Sequence, residues 1–83
     1  MTMNAHYVGS VPKPENKLQE WAHKKELYSS TQFAKALDDA GVTSYGTAHA
    51  KWHSGRAENT AYATLLKIAR YLGARKIEEV FDP

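Results

Sequence analysis

In the stretch TAYATLLKIARYLG, residues 60 to 73, Leu65, Ile68, Ala69 and Leu72 recur at three- and four-residue steps, and Gly73 follows the last of them. That period is one face of an α-helix, and glycine is the commonest residue just past a helix end. No stretch of the chain alternates apolar and polar residues long enough to make a half-buried strand. Together these features predict an all-α fold. The length of 83 residues suits one small domain with a thin core. Hydrophobic residues at 42% and charged residues at 24% are the balance of a folded chain, not of a disordered one.

The same reading divides the chain. Residues 1–13 mix Gly9, Ser10 and Pro12 without periodicity and read as a flexible arm, which leaves 14–83 as the domain. A first helix is expected from Pro14, with Glu15 in its first turn and Leu18, Trp21, Ala22, Lys25 and Tyr28 in one stripe. Ser29 or Ser30 can cap a second helix, TQFAKALDDAG, with Phe33, Ala34 and Leu37 inward and Gly41 as its stop. Val42 is an apolar anchor in the connection. Thr43 and Ser44 can cap a third helix from about Tyr45 to His53, ending near Gly55, with Ala48 or His49 facing inward alongside Trp52. Asn59 or Thr60 can cap the fourth, and a short last helix, KIEEVF, presents Ile77, Val80 and Phe81. The expected architecture is a bundle of about five helices without internal repeats.

Charge and composition narrow the function. The net charge is +2, but residues 41–77 hold Lys51, Arg56, Lys67, Arg70, Arg75 and Lys76 against the single acid Glu58, six positive charges less one, or +5. A basic middle suits a surface that meets phosphates. The chain has no cysteine, which excludes disulfides and thiolate-bound metals. No apolar run approaches the ~20 residues that span a bilayer. The start, MTMNAHYVGSVPKP, lacks the basic flank and apolar core of a signal peptide. A cytoplasmic protein without membrane contact is the expectation. There is no nucleophile with an evident base, no paired carboxylates in a cleft-forming context and no phosphate-binding glycine loop, so neither enzymatic activity nor a cofactor is expected. His49 and His53 lie four apart and can share a metal ion, with His6 or His23 as a third ligand. No carboxylate accompanies them and no His-Glu-x-x-His pattern is present, so no metal is expected.

The joint AGVTS, with one glycine and one apolar residue between two short helices, suits a helix-turn-helix. The order FAKAL, GV, a helix closing in KWHSGR, TLLKIARYLG and IEEVF resembles the Cro/CI-like, lambda-repressor-like helix-turn-helix family, also called the XRE family. The likeness rests on Phe33-Ala34, Gly41-Val42, Trp52 to Gly55-Arg56, Leu65 to Gly73, and Ile77 to Phe81, and covers roughly residues 14–82. Two features depart from the family pattern. The interval from Val42 to the inward position of the third helix is about two residues longer, and the arm before Pro14 has no counterpart.

The resemblance implies a lambda-repressor-like DNA-binding domain whose third helix enters the major groove. Tyr45, Gly46, Thr47, Ala48 and Lys51 are then the expected base contacts. Ser30, Thr31, Gln32, His53, Arg56, Asn59 and Thr60 are the expected phosphate contacts. Tyr71, Ile77, Val80 and Phe81 form the expected surface of a homodimer. The implied function is a Cro-like phage or prophage repressor that blocks polymerase at a palindromic operator in double-stranded DNA. The alternative is an antitoxin that binds a toxin protein and regulates its own operon.

Overall fold

A computed structural model of the chain describes residues 11–83, so most of the expected N-terminal arm, and His6 with it, lies outside the described residues. Four α-helices follow in order: α1 (Lys17–His23), α2 (Ser30–Asp39), α3 (Tyr45–Ser54) and α4 (Tyr62–Tyr71), then a single 3-10 turn at Ile77–Glu79. Among the described residues there is no strand, only one isolated parallel bridge between Arg56 and Asp82.

The first helix is shorter than its apolar stripe predicts. Asn16, not Pro14, sets its start, because the Asn16 side chain accepts a hydrogen bond from the Gln19 amide at 2.8 Å. It stops at His23, and Glu26 then takes a left-handed φ of 62°, which no helix continues through. Lys25 and Tyr28 therefore fall outside it, while Leu18 and Ala22 are fully buried.

α2 has a reciprocal start. Ser29 Oγ accepts from the Gln32 amide at 3.1 Å, and Gln32 Oε1 accepts from the Tyr28 amide at 2.8 Å. Its inner residues Phe33, Ala34 and Leu37 are fully buried. The helix ends through Gly41, whose φ of 72° lets the Val42 amide return to the Leu37 carbonyl at 2.9 Å.

α4 begins at Tyr62 after Ala61, which has no side chain to cap it. Asn59 and Thr60 do not cap α4, contrary to expectation. The chain turns before it, with Asn59 at a φ of 64°.

The expected fifth helix is reduced to the 3-10 turn. Beyond it the chain straightens to pair with the segment after α3: the Asp82 amide donates to the Gly55 carbonyl at 2.9 Å, and the Ala57 amide donates to the Asp82 carbonyl at 2.7 Å. Val80 and Phe81 are thereby carried into the core, where they join Leu18, Phe33, Leu37 and Ile68 as its largest closed side chains. No helix among the described residues is long and apolar enough to cross a membrane.

Candidate nucleic-acid interface

α3 is held at both ends. At its start, Ser44 Oγ accepts from the Thr47 amide at 3.3 Å and donates to Thr47 Oγ1 at 3.0 Å. At its end, the Trp52 carbonyl accepts from Asn16 Nδ2 at 3.2 Å and from Gln19 Nε2 at 2.9 Å, tying the last turn to α1. The Trp52 ring is buried against Phe33, with centroids 5.4 Å apart. Gly55 closes the helix at a φ of 63°, and a Cβ there would stand 2.8 Å from Asn16 Cγ. Only glycine meets both the left-handed backbone and that close approach.

These anchors set the phase of α3. Ala48 is fully buried and His49 is half-buried. Tyr45, Gly46, Ala50, His53 and Ser54 form the exposed face, and α3 contains no acid. The expected base contact by Ala48 is therefore corrected: its methyl is spent on the core.

Lys51 is corrected as well. It is only 6% exposed, and its ammonium donates to the Arg56 carbonyl at 2.8 Å and the Glu58 carbonyl at 2.7 Å. Burial pushes its pKa below the ordinary lysine value, and the Glu58 carboxylate opposes that shift. Lys51 fastens the loop after α3 rather than reaching outward.

That fastening shapes a groove of about 490 Å³ lined by Gly46, Thr47, Ala50, Lys51, Ser54, Glu58, Asn59 and Thr60. Five of the residues expected to contact DNA, Gly46, Thr47, Lys51, Asn59 and Thr60, thus meet along one wall or the other. Ala50, Ser54 and Glu58 also line it and were not expected. Gly46, Ala50 and Ser54 are spaced by four and share a helix face, so they become legible once Ala48 and Trp52 are placed inside.

The remaining expected residues lie elsewhere. Tyr45 is 40% exposed and His53 is exposed, both on the outer side of α3 but outside the groove lining. Arg56 is exposed and pairs with Glu58 at 2.9 Å. At the start of α2, Thr31 and Gln32 are exposed and Ser30 is half-buried, while Ser29 does the capping. Lys67, Arg70, Arg75 and Lys76 are exposed and form no ion pair among the described residues.

The expected dimer surface is corrected in part. Val80 is fully buried and Phe81 is 1% exposed within the protein's own core, so neither can face a second copy. Tyr71 and Ile77 are half-buried at the core's edge, and the Lys25 ammonium lies 5.4 Å from the centre of the Tyr71 ring. Among the described residues no three or more potential ligands gather into a metal cluster. Comparison with known protein families, with curated proteins and with solved structures found no match for this chain.

Proposed function

We propose that the protein is a sequence-specific DNA-binding transcriptional regulator in which α2 and α3 act as a helix-turn-helix. The observation that carries this reading is the exposed face of α3: Tyr45, Gly46, Ala50, His53 and Ser54, without an acid, on a helix tied to the core by Trp52. A major groove about 12 Å wide admits such a helix, and small residues allow its backbone to come close to base edges. Tyr45, Gly46, Thr47 and Ala50 are the proposed base-facing set. His53, Ser54, Asn59 and Thr60 face phosphates, with the first-turn amides of α4, which no side chain caps, beside Asn59 and Thr60. Arg56 joins them by exchanging Glu58 for a phosphate.

The mechanism is steric. Two copies occupy half-sites about one helical turn apart and block polymerase, as a phage-type repressor does. A second reading, an antitoxin that also grips a toxin protein, draws on a mainly apolar groove of about 300 Å³ with Ala57, Tyr62, Leu65 and Ile77 in its walls. Tyr62 is 71% exposed there. Either a toxin or a second copy suits that surface.

Selection of bound duplexes from random-sequence DNA tests the proposal. It predicts recovery of a palindrome with half-site centres about 10–10.5 base pairs apart. A pool that stays random through repeated rounds rejects it.

A further inference from the structure

Along the outer side of α3, Tyr45, His49 and His53 form a ladder of rings whose mutual geometry the DNA-binding reading does not use. The Tyr45 and His49 rings are stacked, with centroids 6.0 Å apart and planes 19° from parallel. The His49 and His53 ring centres are 4.9 Å apart at an interplanar angle of 56°. His53 is exposed and His49 half-buried. Neither imidazole takes part in an ion pair or a side-chain hydrogen bond among the described residues.

We propose that His49 and His53 form a two-ligand site for a late first-row divalent cation such as zinc(II) or nickel(II). Histidines four apart on a helix stand one above the other. With metal–nitrogen bonds of about 2.0–2.1 Å, a ring centre lies roughly 3.2 Å from the ion, so two rings on one tetrahedral ion have centres about 5 Å apart. The observed 4.9 Å matches that spacing without movement of the helix.

The stacked Tyr45 restricts the His49 ring and so lowers the ordering needed on binding. No carboxylate or third histidine completes the shell among the described residues. Water fills the other positions, and the ion exchanges freely. Neutral imidazoles select nitrogen-loving transition ions over magnesium or calcium, which prefer oxygen. The site stands on the geometry of α3 alone and does not depend on DNA binding.

The test is titration of the untagged full chain, without DNA, followed by ¹H–¹⁵N spectra. Nickel(II) chloride is expected to broaden amides of Tyr45–Ser54 selectively, zinc(II) chloride to shift the same amides, and magnesium chloride to leave them unmoved. His49→Gln and His53→Gln should each abolish the response while the rest of the spectrum, which reports the fold, is retained. Broadening centred on His6 or His23, or an unchanged response in the double variant, would overturn the proposal.

Discussion

Lys51 carries a charge into a nearly closed position, and two backbone carbonyls from the following loop are what make that tolerable. Lys51→Met keeps the length of the stem but strands both carbonyls. The expected cost is about 2–3 kcal/mol in urea unfolding, since hydrogen bonds to charged groups contribute in that range. Base preference should survive in the folded fraction, because the ammonium sets the loop and does not read a base. Glu79 holds another turn together: its Oε1 accepts from the amides of Arg75 and Lys76, both at 2.9 Å. Those two hydrogen bonds hold its carboxyl below the ordinary glutamate range. A depressed folded-state pKa means a stabilisation present above the unfolded value and lost as pH falls through the folded one. Wild type should therefore be more stable than Glu79→Gln at pH 7, and the two melting temperatures should converge as the pH drops below about 4. A gap that stays constant from pH 7 to 3 would show that the carboxylate's charge has no part in it.

At the scale of elements, α3 has one phase, and two alanines report it. Ala48 is fully closed and Ala50 is exposed. Ala48→Leu forces extra volume into the core and should cost about 1–3 kcal/mol. Ala50→Leu should change stability by less than about 0.5 kcal/mol. Equal effects in thermal melts would mean the phase is wrong. The helices differ in how far sequence reveals them. α2 and α4 are legible because Phe33, Ala34 and Leu37, and Leu65, Ile68 and Leu72, mark single stripes that end at Gly41 and Gly73. The end of α1 is hidden, since Lys25 and Tyr28 continue its spacing and only the left-handed Glu26 breaks it. The phase of α3 is ambiguous in sequence because Ala48 and His49 are both compatible with the inner side. Lys51 is misread for a stronger reason. Lysine belongs at the surface by default, and its carbonyl partners lie five and seven residues on, in a loop without a pattern.

Across the whole molecule, a thin core sets the terms. A domain this small closes its interior by folding back its last residues, which is why Val80 and Phe81 are used inside rather than offered to a second copy. The pairing of Asp82 with Gly55 and Ala57 joins that closure to the end of α3. The element proposed to read DNA is thus braced by α1 through Asn16 and Gln19 and by the terminal segment through Gly55. Bracing of this kind suits recognition, because a helix presented rigidly loses little freedom on binding. The proposed function stands or falls on DNA binding through the outer face of α3. Its most direct test is a fluorescence-anisotropy titration of wild type and Ala50→Glu on one duplex recovered from random-sequence selection, repeated at several salt concentrations. Ala50 is exposed, so the variant folds, and the added carboxylate meets the polyanion only if this face is the one that docks. Wild-type binding should weaken steeply with salt, and Ala50→Glu should lose at least about tenfold in affinity, corresponding to ~1.4 kcal/mol. Equal affinities for the two proteins would contradict it.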